Sequence, residues 1–307
     1  MRVVFFGSGA FGIPSLERLL DLHDVRLIVT QPDRPAGRGG KLTPTTIAEA
    51  AARLASDIPV LKPEKVNTPH IRDQIRSTES EIWVVIAFGQ KLGQKLLAER
   101  LAVNLHASVL PRWRGAAPIN AAIVAGDAET GTSVITLVDE MDAGDVLGGS
   151  RRAIEPGQTA GELHDLLARD GVHPLIHVLD EASRGELRPM VQDPELVTLA
   201  PKLTREDARV DFTWPADRCR CLIHGLNPWP GVTVRLGGEA LKLLRVAAVP
   251  GETRGTPGEL VDPLGGIVRC GHGGIRLLEV QPAGKRAMGW EAYIRGRAIS
   301  GGVVLEA

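Results

Sequence analysis

The sequence predicts an α/β protein: a Rossmann-like doubly wound parallel sheet followed by a C-terminal β-barrel domain of OB-like type. Two patterns carry this expectation. Through about the first 190 residues, short apolar runs without polar alternation are separated by amphipathic stretches, as expected of parallel strands covered on both faces. After Arg184 the pattern changes to brief strands punctuated by Gly and Pro. A chain of 307 residues is about twice the usual domain size, and 43% hydrophobic residues suffice for a sizeable core.

Taken in order, residues 3–6, 25–30, 82–87, 102–105 and 133–138 read as buried strands. Helices are expected at 14–22, 45–55, 90–99, 118–125 and 159–182, several with Pro near the first turn, where its missing N–H costs nothing. Residues 190–203, with Pro194 and Pro201 and no periodicity, read as a linker. The domains are therefore expected at 1–189 and 204–307. The second should hold a short helix at 216–226 and strands at 232–236, 241–247, 258–261, 266–269 and 275–280.

The formal net charge of −1 favours neither nucleic acid nor membrane. Its distribution is uneven: from Arg205 onward 14 Lys and Arg face 11 Asp and Glu, which leaves 22 against 26 in residues 1–204. A mildly basic tail on an acidic body hints at a polyanionic partner. Cys219, Cys221 and Cys270 are too few for a disulfide framework, and Cys-x-Cys lacks the usual zinc or redox spacing, so they read as reduced and structural. The N-terminus runs straight into a strand rather than a signal peptide, and no apolar run is long enough to span a bilayer. A cytoplasmic protein without a membrane partner is expected.

Gly7-Ser8-Gly9-Ala10-Phe11-Gly12 follows the first strand and matches the G-x-G-x-x-G dinucleotide fingerprint, with Asp33 available for a ribose. Asp33, however, sits beyond Pro32 in a turn-rich loop that also holds Arg34, Arg38 and Lys41. Tight strand-to-helix packing accounts for the glycines without a cofactor, so no NAD is expected. The basic loop reads either as a solvated turn or as a phosphate contact.

Chemistry concentrates between Asn104 and Leu147. Asn104 and His106 are two apart, so on an extended strand they leave the same face. An Asn amide suits a developing oxyanion, and His suits proton transfer near neutral pH. Asp142, in Met141-Asp142-Ala143-Gly144-Asp145, arrives on a turn and is placed to orient the imidazole, stabilise its charged form or hold a water. No Gly-x-Ser-x-Gly elbow is present, so attack by an external nucleophile on a carbonyl is favoured over an acyl-enzyme. One His with scattered carboxylates makes a poor metal ligand set, and no metal is expected.

Asn104-Leu105-His106-Ala107-Ser108-Val109-Leu110-Pro111-Arg112-Trp113-Arg114-Gly115-Ala116-Ala117-Pro118-Ile119, then Gly126-Asp127-Ala128-Glu129-Thr130-Gly131 and Met141-Asp142-Ala143-Gly144-Asp145-Val146-Leu147, closely resemble the methionyl-tRNA formyltransferases. The resemblance covers the whole chain. It includes the loop from Gln31 to Gly39, Asn227-Pro228-Trp229-Pro230-Gly231, and Gln281-Pro282-Ala283-Gly284-Lys285-Arg286-Ala287-Met288. It implies transfer of a formyl group from 10-formyltetrahydrofolate to the methionyl amine of initiator tRNA, for translation initiation.

The resemblance also implies that Asn104, His106 and Asp142 form the catalytic set. Ser108, Val109, Leu110 and Pro111 would contact the folate, with Val109 replacing the family's usual Leu. The full glycine fingerprint is a further departure from the family pattern. Arg34, Arg38 and Lys41 would meet the tRNA acceptor arm and the basic tail its backbone. Nothing calls for more than a monomer. The alternative is a folate-dependent formyltransferase acting on a small-molecule amine, which would share the central block but need neither the early basic loop nor the barrel.

Overall fold

The computed structural model describes residues 1–307 except Arg38, Glu252, Thr253, Ala298, Ser300 and Ala307. The chain forms two compact units, interleaved in sequence: Met1–Gly115, Gly131–Arg152 and His164–Leu199 make the first, and Ala116–Thr130, Ala153–Leu163 and Ala200–Ala307 the second.

Up to the first pass out of unit 1 the elements are β1 (Arg2–Gly7), α1 (Ile13–Leu22), β2 (Asp24–Val29), β3 (Arg34–Ala36), β4 (Lys41–Thr43), α2 (Thr46–Leu54), β5 (Val60–Leu61), α3 (Pro69–Ser77), β6 (Ile82–Ile86), α4 (Gln94–Leu97), β7 (Ala102–His106) and β8 (Arg114–Gly115). Then come α5 (Pro118–Ala125), β9 (Glu129–Thr136), β10 (Val146–Ala153), α6 (Ala160–Asp170), α7 (Val172–Arg184) and β11 (Leu199–Ala200). Last are α8 (Ala216–Gly225), β12 (Thr233–Leu236), β13 (Glu239–Val249), β14 (Leu260–Asp262), β15 (Ile267–Arg269), β16 (Gly274–Pro282), β17 (Met288–Gly289) and α9 (Trp290–Ile294).

Unit 1 is built on a seven-stranded sheet of order β10-β9-β7-β6-β1-β2-β5. Neighbours from β5 through β7 are parallel, and β9 is antiparallel to β7. The chain runs outward from β1 to β5, then restarts at β6, so the order reverses between β1 and β6. Val3, Val4, Phe5 and Phe6 are fully buried, as an unalternating apolar strand requires. On one face Phe6 packs against Trp83 and Phe88, with ring centroids 5.3 and 5.6 Å away.

Unit 2 carries an antiparallel half-barrel sheet of order β12-β13-β16-β15-β14, with β17 added to β16. Register shifts near Arg245 kink the long strand β13, and such bulges let a sheet curl. Cys219, Ile223, Val246, Leu241, Ile275 and Val280 lie in its core. All three cysteines are buried and unbridged.

Most expected elements are present, with informative differences. The helix expected at 90–99 shrinks to α4, which starts only after Gly93 in an extended conformation, and the Gln90 side chain accepts from Val66 N and donates to Pro63 O. The helix at 159–182 divides at Gly171, where a Cβ would lie 2.7 Å from Leu105. Strand β10 reads poorly as a strand because of Gly148 and Gly149. A Cβ on Gly149 would collide with the Thr132 carbonyl, so close strand approach demands glycine there. The amphipathic α3 was not expected, nor were β17 and α9.

Candidate active site

Asn104 and His106 occupy the carboxyl-terminal half of β7, where open α/β sheets place ligands. Asn104 lies in register with Val85 on β6 and Ile135 on β9, and His106 is opposite Ser133. Leu105, between them, faces Gly171, so Asn104 and His106 share the other face of the sheet.

The loop that follows is tied back onto the sheet by hydroxyl groups. Ser108 is fully buried and its Oγ donates to Arg112 O at 2.6 Å. Ser133 Oγ donates to Ser108 O at 2.8 Å and accepts from Leu110 N at 3.0 Å. The Leu110-Pro111 peptide is cis. Val109 and Pro111 are half-buried, so their apolar edges are the parts of this segment left open.

His106 Nε2 donates to Trp113 O at 2.9 Å. A carbonyl only accepts, so Nε2 carries the hydrogen and Nδ1 is the ring's basic atom. That atom faces the Asp142 carboxylate, 3.6 Å from Oδ2. Both side chains are largely shielded, at 7% and 14% exposure. Asp142 Oδ2 also accepts from Gly115 N at 2.9 Å. The arrangement can take up a proton at Nδ1, with the carboxylate beside it to stabilise imidazolium, while Asn104 supplies an uncharged donor on the same face.

Asp142 has φ of +54°, a left-handed conformation uncommon outside Gly. Its turn is held tightly: Asp145 N donates to Thr136 Oγ1 at 2.9 Å, and a Cβ on Gly144 would collide with Thr136 O. Two further buried residues support it, and sequence reasoning gave neither a role. Arg114 Nε donates to Gln192 Oε1 at 3.0 Å and Arg114 Nη1 pairs with Glu140 Oε1 at 3.0 Å. Gln192 Nε2 donates to Asp142 O and Gly144 O at 2.8 and 2.7 Å. Arg114 lay inside the recognised motif. Gln192 gave no signal, because a single Gln in a Pro-containing stretch without periodicity looks like any solvated linker residue.

Three backbone N–H groups of the glycine loop are already paired within the chain. Ser8 N and Gly9 N both donate to Ala87 O, and Gly12 N donates to Gly9 O. Gly7 is required by packing, since a Cβ would lie 2.6 Å from the Phe5 ring and 3.0 Å from Ile86 O. Asp33 pairs with Lys62 at 2.6 Å. Among the described residues no cluster of three or more His, Cys, Asp or Glu could hold a metal, and no helix is long and apolar enough to cross a membrane.

The basic loop folds as the β3–β4 hairpin. Arg34 is exposed and pairs with Glu64 at 2.6 Å, and Lys41 is exposed on β4. Arg38 lies outside the described residues.

Residues 1–179 match the family model described as formyl transferase, and residues 202–298 match the formyl transferase C-terminal domain. Methionyl-tRNA formyltransferase of Thiobacillus denitrificans is 40% identical, over all of both chains. That of Stutzerimonas stutzeri is 41% identical over 94% of this chain and 93% of its own. Among solved structures, the sugar 3N-formyltransferase WlaRD, crystallised with dTDP and 5-N-formyl-THF, aligns with a TM-score of 0.70 at 14% identity, over 93% of this chain and 99% of that one. HypX from Aquifex aeolicus, in complex with tetrahydrofolic acid, aligns with a TM-score of 0.62 at 16% identity, over 96% of this chain and 47% of that one. At such identities the two structures speak to fold alone. The site at the end of β7, the two family matches and the full-length relatives agree: the chain belongs to the formyl transferase family, among the methionyl-tRNA formyltransferases.

Proposed function

We propose that this chain transfers the formyl group of 10-formyltetrahydrofolate to the α-amino group of methionine carried on initiator tRNA, giving formylmethionyl-tRNA for translation initiation. The observation that carries the catalytic reading is the His106–Asp142 pair, 3.6 Å apart at the end of β7 with Asn104 on the same face. The full-length similarity to methionyl-tRNA formyltransferases carries the acceptor.

In the reaction, the methionyl nitrogen bonds to the formyl carbon, the carbon–N10 bond of the folate breaks, and one proton passes from the amine to N10. The amine proton passes to His106 Nδ1 as the tetrahedral intermediate forms, and the resulting imidazolium together with Asn104 stabilises its oxyanion until the proton is given to N10. His106 Nδ1 exchanges the proton, directly or through a water held by Asp142, whose carboxylate offsets the imidazolium charge. Holding donor and amine together supplies the remaining advantage. In this reading the Ser108 to Pro111 segment meets the folate through Val109 and Pro111, while buried Ser108 and Leu110 set its shape. With the Ser108 hydroxyl and Leu110 N–H bonded internally, Val109 and Pro111 offer apolar contact.

Arg34, Arg38 and Lys41 meet the acceptor arm, and binding there weakens with salt as counterions are released. Residues 1–189 do the catalysis and 204–307 hold tRNA. The stretch 190–203 is more than a tether, since Gln192 reaches the Asp142 turn. The enzyme works as a cytoplasmic monomer without NAD or metal. One assay tests the reading: formyl transfer from 10-formyltetrahydrofolate to charged initiator tRNA, against elongator tRNA, free methionine and an amino sugar nucleotide. Preference for a small amine would overturn it.

A further inference from the structure

Gln192 is 7% exposed, and its side-chain oxygen and nitrogen are both engaged. Its amide nitrogen donates to the carbonyls of Asp142 and Gly144 at 2.8 and 2.7 Å, on either side of Ala143. Its oxygen accepts from Arg114 Nε at 3.0 Å. An amide offers two donors and an acceptor at opposite ends, and this one uses all of them to join three segments. Arg114 is itself fixed, because its N–H donates to Thr198 O at 2.9 Å. The Glu140 partner of Arg114 is 76% exposed, so that ion pair holds the turn weakly compared with the buried amide.

We propose that Gln192 is a positioning residue for formyl transfer: it clamps the backbone of the Asp142 turn so that the carboxylate stays opposite His106 Nδ1. This rests on the role given to Asp142 above. The need for a clamp follows from the backbone. Asp142 is held at φ of +54°, which an L-residue leaves unless its surroundings hold it there. Its carboxylate has the Gly115 N–H as a fixed partner, but a carboxylate can keep that bond while the peptide beneath it turns. Bonds to the carbonyls of residues 142 and 144 block that rotation at both ends. Removing them also leaves two carbonyls and a guanidinium N–H unpaired in a shielded place, so the turn moves to find water.

Two variants test this. Gln192→Ala removes all three bonds. Gln192→Glu keeps the shape and the acceptor for Arg114, but sets an oxygen against the two carbonyls. Both are expected to lower kcat roughly 10- to 100-fold, as for a small displacement of a catalytic group, with KM for tRNA and folate nearly unchanged. Adding Gln192→Ala to an Asp142→Asn background should cost little more, because the clamp acts only through Asp142. A loss that multiplies in the double variant, or one confined to KM, would overturn the proposal. Hydrogen exchange across residues 139–146 reads the clamp without substrate and should accelerate in both variants while β1 and β6 stay protected. Unchanged exchange there also sinks it. Wild-type turnover on charged tRNA tests the function separately, so the two failures can be told apart.

Discussion

His106 Nδ1 lies 3.6 Å from Asp142 Oδ2, while the other ring nitrogen donates to the Trp113 carbonyl at 2.9 Å. The two contacts divide the ring's work. The carbonyl fixes orientation and tautomer, and the basic nitrogen is left facing a carboxylate. His106→Ala should therefore reduce kcat roughly 10²- to 10⁴-fold. Steady-state formylation of charged initiator tRNA measures this, and near-normal turnover would remove His106 from the catalytic set.

Asp142→Asn keeps a side-chain oxygen for the Gly115 N–H but removes the charge beside Nδ1. Thermal stability should change little, whereas kcat should fall roughly 10²-fold or more. A matched loss of stability and activity would instead mean that the carboxylate is structural.

The glycine loop gives a paired test of packing against cofactor binding. A Cβ on Gly7 meets Phe5 at 2.6 Å, so Gly7→Ala should destabilise by about 1–3 kcal/mol, seen as a lower urea midpoint. On Gly9, at φ of −84°, the nearest atom to a Cβ is Ala87 Cβ at 3.5 Å. Gly9→Ala should leave stability and activity near wild type. A dinucleotide site would predict the reverse sensitivity, because the second glycine is where a pyrophosphate approaches.

His224 sets an acid limit on unit 2. It is fully buried and accepts from Val246 N at 3.0 Å, and its pKa is lowered to about 4 by burial first and then by Arg220 and Arg245. Because the folded value lies below the unfolded value of about 6.5, the unfolded chain binds more protons between them. This contribution to stability is present above about pH 6.5 and is lost as pH falls toward 4, by roughly 3 kcal/mol in total. Urea midpoints at pH 7 and 5 should fall more steeply in wild type than in His224→Leu, and equal slopes would count against it.

The Arg34–Glu64 pair is exposed, so Arg34→Ala should cost at most about 1 kcal/mol of stability. If Arg34 and Lys41 meet tRNA, alanine at both should raise KM for tRNA and flatten its salt dependence, with KM for folate unchanged. An unaltered salt slope would place the tRNA elsewhere.

Local pattern was enough for much of this molecule. Unalternating runs such as Val3 to Phe6 can only be buried on both faces, so they announce a covered parallel sheet. The spacing of Asn104 and His106 puts them on one face of β7 by strand geometry alone. Asp142 read from its turn as a partner for the imidazole with three uses open, and the resemblance then implied its place in the catalytic set. Other features needed the folded chain. Gly149 and Gly171 look like strand and helix breakers until the close approach of Thr132 and Leu105 explains them. Gln192 looked like linker because its partners, Asp142 and Gly144, lie roughly 50 residues away. Sequence periodicity records which face of an element is buried, and motifs record which side chains do chemistry. Which backbone groups a distant side chain must satisfy is decided only when the chain closes on itself, because a hydrogen bond between remote segments leaves no period behind.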